Sequence, residues 1–284
     1  MNLDCINDVD FFTQKINGRY RNINRRLIAF KIFIFGLLAL TLSCVSALIY
    51  SGIYERKFSY SNNLNKTVNI IPNKEIYFYI GTDLNQARLN FSKSINYDQL
   101  KGESRDLDLS RTKPLDQRNG KDYYPAGKLP ASFFQDSIKI DGIDLPEGDI
   151  TFEDEKRIIG FTDYKRDEIN LPPGWSSKTN KNTTPLNFSP ERFSTLPILN
   201  TRFINWINIG SFVDSRKLWG KFISPSNKIN ISIKGVNNSY FKKRNILLTD
   251  GSILGLKNYI YSAILFFISL LAFIIAFVVL NQII

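Results

Sequence analysis

The chain has 284 residues, a formal net charge of +11 and no histidine. The missing histidine removes the commonest general base, the usual nucleophilic triads and most zinc sites. The two cysteines, Cys5 and Cys44, both lie near the N-terminus, so the long polar middle of the chain has no disulfide to staple it.

Residues 1–31 are polar and basic. They carry Lys15, Arg19, Arg21, Arg25, Arg26 and Lys31 against Asp4, Asp8 and Asp10. Phe11–Ile23 has the pattern of a surface helix. Ile32–Tyr50 then runs nineteen residues without a charge. A hydrocarbon core about 30 Å thick needs roughly 20 apolar residues of helix, so this stretch is long enough to span. A cleaved signal peptide fits less well, because its apolar region is usually only about 7–15 residues. Basic residues beside a first span hold that end in the cytosol. The order predicted is a cytosolic segment (1–31), a transmembrane helix (32–50), an exoplasmic domain (51–257), a second transmembrane helix (258–280) and a cytosolic tail (281–284). The two-pass chain then has both termini in the cytosol.

The middle domain reads as α+β, mainly antiparallel β and sandwich-like, with long loops and short helices. Strand patterns occupy Thr67–Ile71, Glu75–Ile80, Ser137–Ile140, Arg157–Phe161, Phe203–Ile209 and Lys228–Ile233. Each is short, β-branched or aromatic, and bounded by turn residues. Asn85–Ser94 and Asp98–Lys101 read as helical. Residues 101–122 and 162–190 read as loops. The acidic run Asp141–Glu155 lacks the alternating ligands of a calcium loop and reads as solvated. No phosphate-binding loop and no nucleophile elbow is present. Nothing calls for a cofactor or a metal, and the chain reads as a non-enzyme. The domain's basic excess reads as a solvated lysine-rich surface rather than a nucleic-acid site. Six N-x-[ST] sequons begin at Asn65, Asn90, Asn182, Asn187, Asn230 and Asn237. Asn187 is the poorest acceptor, because Pro190 follows its Ser189. Ile260–Leu280, twenty-one residues without a charge, meets the length of a second span.

Four segments of the middle domain, in order, resemble the ligand-effect modulator and cell-division-control-protein-fifty family. Its members are accessory (beta) subunits of type IV P-type ATPases, the lipid flippases. Gln86–Gly102 is similar to the family stretch Y-Q-N-H-R-R-Y-V-K-S-R-x-x-x-Q-L-x-G through Gln86, Phe91, Lys93, Ser94, Gln99, Leu100 and Gly102. Pro125–Ser137 resembles P-C-G-x-x-A-N-S-x-F-N-D-T through Pro125, Gly127, Ser132, Phe134 and Asp136. Phe203–Gly220 runs without a gap against F-I-x-W-M-R-T-A-A-L-P-x-F-R-K-L-Y-G. Its matches are Phe203, Ile204, Trp206, Arg216, Lys217, Leu218 and Gly220, with Trp219 in place of Tyr. Ser252–Asn258 is similar to S-W-L-G-G-K-N just before the second span. Two departures stand out. The family's Cys after Pro is Ala126, with its disulfide partner also missing, which calls for compensating packing or lower stability. The family's Arg after W-M is Asn208.

The resemblance implies a non-catalytic accessory subunit, in a heterodimer with a type IV P-type ATPase and in contact with membrane lipids. It would support the exit of that ATPase from the endoplasmic reticulum, its stability as a chaperone and its conformational cycle during phospholipid translocation. It would reside in the endoplasmic reticulum, Golgi, endosome or plasma membrane. Trp206 and Trp219 are open to two readings, domain core or partner-facing anchor. Arg216 and Lys217 are the stronger interface candidates, because an unpaired charge is costly to bury. Pro125, Gly127, Ser132, Phe134, Asp136, Gly220 and Gly255 read as structural. Asn65, Asn90, Asn182, Asn230 and Asn237 are candidate glycosylation sites. In the first span Gly36, Ala39, Ser43, Ser46 and Ala47 form a small-residue pattern that permits close helix approach. A two-span ion-channel subunit and an orphan receptor or adhesion protein share the topology. The first usually needs many disulfides and a polar pore-lining span, whereas the second span here has only Ser262 and Ser269.

Overall fold

A computed structural model describes residues 25–104, 106–147, 150–160, 162, 164, 168–173, 175, 201–210 and 215–281. The N-terminal helix pattern, Cys5, Asn182, Asn187 and most of the loop expected over 162–190 lie outside these residues. The chain divides into a helical unit at its two ends and a middle unit over Ile53–Leu256.

Two long helices, α1 (Arg25–Gly52) and α2 (Tyr259–Asn281), make up the described part of the helical unit. Both are long and apolar enough to cross a membrane. They pack as an antiparallel pair, because Phe33 meets Phe273 at one end (5.3 Å between rings) and Tyr50 meets Tyr259 at the other (6.1 Å). Small residues set the closeness. A Cβ placed on Gly36 would lie 2.9 Å from the Phe273 ring, so a larger residue there would require that ring to give way. Serines stitch the seam: Ser43 donates to the Ser262 carbonyl (2.8 Å), Ser46 bonds Ser262 (2.7 Å), and Ser269 donates to the Gly36 carbonyl (2.8 Å). Buried serines in an apolar seam satisfy one another rather than facing hydrocarbon. The remaining long apolar side chains of both helices point outward, which is the pattern of a lipid-facing surface.

The middle unit holds two four-stranded antiparallel sheets. Sheet A has the order β1 (Glu55–Tyr60), β11 (Arg244–Thr249), β3 (Glu75–Thr82), β9 (Arg216–Ile223). Sheet B has the order β2 (Asn63–Asn69), β10 (Lys228–Lys234), β6 (Ser137–Ile140), β7 (Ile143–Asp144). Alternation decides which face is core. Ile229, Ile231 and Ile233 of β10 point inward with Ile138 and Ile140 of β6. Opposite them lie Ile76, Phe78 and Ile80 of β3 with Ile246 and Leu248 of β11, all in one hydrophobic cluster. The β6–β7 hairpin turns on Asp141 (φ 51°) and Gly142 (φ 85°), so part of the acidic run expected to be loop forms a two-residue hairpin. A small third sheet joins β4 (Gln117–Arg118), β5 (Lys121–Tyr123) and β8 (Ile169–Asn170).

The protein is therefore a two-span membrane protein with a mainly antiparallel β domain between the spans. Other elements differ from expectation as well. The stretches 101–122 and 162–190, expected as loops, contain β4, the start of β5 and β8. Phe203–Ile209 is largely helical, within Thr201–Ile207, and buries Phe203, Ile204, Trp206 and Ile207 on one side. Arg157 caps a short helix, Glu153–Lys156, instead of opening a strand.

The serine seam has a direct test. With Cys5→Ser and Cys44→Ser as background, Ser46→Cys and Ser262→Cys together should form a disulfide on mild oxidation. After proteolysis within the middle domain, the two ends of the chain should then stay linked until reduced. Separation of the fragments despite oxidant would exclude this helix pairing.

Candidate partner interface

Three of the four motif segments converge on one place, inside the middle domain. The centre is Phe133, whose ring lies 5.5 Å from Phe203, 5.9 Å from Trp175, 6.3 Å from Trp206 and 5.7 Å from Trp219. Phe134 adds an edge contact to Trp219 at 5.2 Å and stacks on Phe241 at 6.1 Å. Trp206 and Trp219 are buried here, as is Phe134. Of the two readings of the tryptophans, this placement is the core one, since a buried ring offers no surface to a partner.

Backbone devices hold the segments together. Gln99 works as a double bracket, donating to the Tyr123 carbonyl (2.9 Å) and accepting from the Ala126 amide (2.8 Å). Ala126, at the family's Cys position, is fully buried beside Leu109 and Tyr123, so packing and this bracket occupy the place of the crosslink. Gly127 follows the Tyr124–Pro125 peptide and adopts φ 112°, and a Cβ on it would sit 2.1 Å from the Ser94 carbonyl oxygen. Only glycine tolerates both conditions. Ser94 receives the Lys128 and Leu129 amides on its hydroxyl and carbonyl. Ser132 accepts from the Trp206 indole at 3.3 Å. Gly220 leaves room for the Pro146 carbonyl, 2.4 Å from where its Cβ would be. Gly255 (φ 86°) closes a turn in which its amide donates to the Ser252 carbonyl at 2.9 Å.

Two charged side chains are deeply involved that the sequence did not mark. Arg244 pairs with Asp136 (2.9 Å), donates to the Ser61 and Val236 carbonyls, and stacks over Tyr60 and Phe241. Its Nε faces the carboxylate without hydrogen-bond alignment, so the contact is chiefly ionic. Asp136 also accepts from Tyr60 (2.7 Å) and the Val236 amide (2.8 Å). Burial pushes its carboxyl above the usual range, and these three partners pull it back toward ionisation. Arg202 donates to the Trp219 and Leu145 carbonyls and lies over the Trp219 ring, tying the helix Thr201–Ile207 to β9.

The interface candidates separate. Lys217 is buried and donates to the Asn208 carbonyl. Asn208, where the family carries Arg, donates to Glu155 at 2.5 Å. Burial lowers the Lys217 amine to about 8, with Glu155 opposing the shift. Arg216 is exposed and makes no ion pair among the described residues.

Arg216 stands on the outer face of sheet A. The register brings Arg216, Gly81, Asn245 and Ser59 into one row, and Tyr79, Leu247 and Lys57 into the next. Tyr77 and Lys221 make a third. A shallow concavity of about 350 Å³, lined in part by Lys57, Ser59, Gly81, Arg216 and Asn245, opens on this face. Tyr77 and Tyr79 are half-buried there. A hydrogen bond with Glu75 raises the Tyr77 phenol, and burial raises that of Tyr79, so both stay neutral donors. Tyrosine and arginine sharing one sheet face are the residue types enriched at interface centres. The outer face of sheet B has a different character. It is polar, and it carries the exposed sequon asparagines Asn65 and Asn230 on adjacent paired strands. Asn90 and Asn237 are exposed as well.

A family model described as "LEM3 (ligand-effect modulator 3) family / CDC50 family" matches residues 54–284. No curated protein matches the chain.

Lys217 provides a pH signature. Below about pH 8 the amine is charged in both folded and unfolded chains, and the burial cost is fully present. Between about 8 and the ordinary lysine value of 10.5, the unfolded chain holds a proton that the native one has lost, so stability rises with pH. Lys217→Met should therefore stabilise the detergent-solubilised full chain at pH 7.5 by up to about 3 kcal/mol. That advantage should shrink as pH approaches 10 in thermal unfolding. A pH-independent difference would contradict a desolvated amine.

Proposed function

The chain belongs to the ligand-effect modulator 3/CDC50 family, and on that premise we propose that it is a non-catalytic accessory subunit of a phospholipid-translocating P-type ATPase. The observation that carries the reading is the span of the family match. It covers the whole β domain and the second membrane helix rather than a local motif. The two-helix organisation fits a subunit that lies beside a larger transporter within the membrane.

In this reading the β domain is exoplasmic, both termini are cytosolic, and the partner is a type IV ATPase catalytic subunit. The chain supports the partner's exit from the endoplasmic reticulum and its stability, then acts on its cycle. No chemistry is required for that. A subunit that binds one conformation of its partner more tightly shifts the population toward it by the difference in affinity. Glycans at Asn65 and Asn230 would cover the outer face of sheet B. The outer face of sheet A carries no sequon, and Arg216 with Tyr77 and Tyr79 there is the surface assigned to the partner's exoplasmic loops. Trp206 and Trp219 then serve the interface indirectly, by holding β9 and the helix before it in place.

The test is affinity capture of the full chain from native membranes, with labelled-lipid uptake as the functional readout. The wild-type chain should recover a type IV ATPase, and its deletion should lower uptake. Arg216→Glu should reduce recovery about tenfold or more, the scale of a lost interface hot spot. Its thermal unfolding should stay within about 0.5 kcal/mol of wild type, as expected for an exposed side chain. Recovery of no P-type ATPase with unchanged uptake would reject the function. Full recovery by Arg216→Glu would reject the surface only.

A further inference from the structure

The helical unit carries a second feature, which does not depend on the proposed partner. Between α1 and α2, at the end where α1 starts and α2 finishes, the helices leave a groove of about 560 Å³. Ala29 and Ala276 form its floor, being buried alanines where the seam is otherwise tight. Phe30, Phe33 and Phe277 form its walls and are all substantially exposed. Arg26 stands in its lining, with exposed Arg25 beside it. The volume falls in the roughly 300–1,000 Å³ range of ligand sites.

The charge around this groove is one-sided. Among the described residues of the helical unit there is no aspartate or glutamate, while Arg25, Arg26 and Lys31 are all at the end where α1 starts. Neither Arg25 nor Arg26 has a carboxylate partner among the described residues. Arginine at the edge of an apolar surface lays its stem along that surface and holds its guanidinium at the polar boundary. The guanidinium fork matches phosphate oxygens. A groove that is apolar along its length and cationic at one end fits a molecule with the reverse ends.

We propose that this groove holds an anionic phospholipid of the surrounding bilayer, with its headgroup phosphate at Arg25 and Arg26 and one acyl chain along Phe30, Phe33 and Phe277. Basic pockets between membrane helices recognise anionic headgroups by the same physics. The walls make the site more than a surface charge. The aromatic rings leave a slot whose width is set by Ala29 and Ala276, and a larger side chain at either position would fill it.

The experiment uses the purified full chain in mild detergent with equimolar phosphatidylserine and phosphatidylcholine, followed by native mass spectrometry of the retained lipid. Phosphatidylserine should be retained in preference by on the order of tenfold, the scale expected for two arginines near an anionic group. Arg25→Gln with Arg26→Gln should bring the two lipids to parity. Ala276→Phe, which keeps every charge and fills the slot, should lose retention of phosphatidylserine. A circular-dichroism melt of each variant confirms that the helices remain folded. Glycerophosphoserine, which has the headgroup and no acyl chains, should compete poorly. Three results would overturn the proposal: no preference in the wild type, a preference unchanged by either variant, or full competition by the chain-less headgroup. It would also fail if Ala276→Phe abolished capture of a partner protein while lipid retention stayed intact, because the groove would then seat a protein helix.

Discussion

The middle domain depends on one buried charge pair. Asp136 lies just before β6 of sheet B, and Arg244 opens β11 of sheet A, so their contact joins the two sheets at the starts of two inner strands. Taking both charges out of water is expensive, and the cost is offset only where geometry and extra hydrogen bonds satisfy each group. Here they do. Asp136 receives Tyr60 and the Val236 amide, while Arg244 reaches the Ser61 and Val236 carbonyls and is sandwiched by Tyr60 and Phe241. Each of these groups lies in β1, β11 or the connections flanking β2, β6 and β10. A slip of either sheet would strand a charge in the interior, so the pair fixes the sheets against each other where disulfides do not.

The aromatic cluster is set by the same frame. Phe133 and Phe134 lie just upstream of Asp136, and Phe241 just upstream of Arg244, so anchoring the pair places both sides of the Trp206–Trp219 packing. The helix Thr201–Ile207 docks on that packing, and Arg202 and Lys217 lock it to β9 and to Asn208. The conspicuous residues of the motif segments are thus mostly interior. What they present outward is the ordered face of sheet A, with Arg216 at the end of the β9 register. A domain organised in this way suits binding, because its surface is held by a rigid core and carries aromatic and cationic groups.

Much of this was legible in the sequence, for physical reasons that differ by element. The spans were plain because an uncharged stretch of membrane length has few other solutions. β6 and β10 were plain because strict alternation of isoleucine with polar residues has one half-buried solution, and β3 because its run of Ile, Tyr and Phe is β-branched and aromatic. Phe203–Ile209 reads as a strand because Phe, Ile and Trp favour strands, whereas the burial of the helix Thr201–Ile207 follows the helical period through Phe203, Ile204 and Ile207. β9 was hidden by its charges and by Gly220, and β11 by its leucines, which suit either structure. The site was less legible. Nothing local distinguishes Arg244 from any other lysine or arginine of a basic chain. Its importance comes from Asp136, more than a hundred residues away. Trp206 had an indole's usual ambiguity between core and anchor, and only its neighbours decide. Gly127 was marked by its motif, but the reason, the approach of the Ser94 carbonyl, is tertiary.

The central claim is that the Asp136–Arg244 pair holds the sheets as a unit. A double-mutant cycle on the full chain in detergent, with Arg244→Met, Asp136→Leu and both together followed by equilibrium unfolding, tests it most directly. Each single variant should lose about 3–5 kcal/mol, because it leaves a buried charge without its partner. The double variant should lose clearly less than the two losses combined, with a coupling of at least about 2 kcal/mol. Additive losses, or single variants within about 0.5 kcal/mol of wild type, would contradict the account.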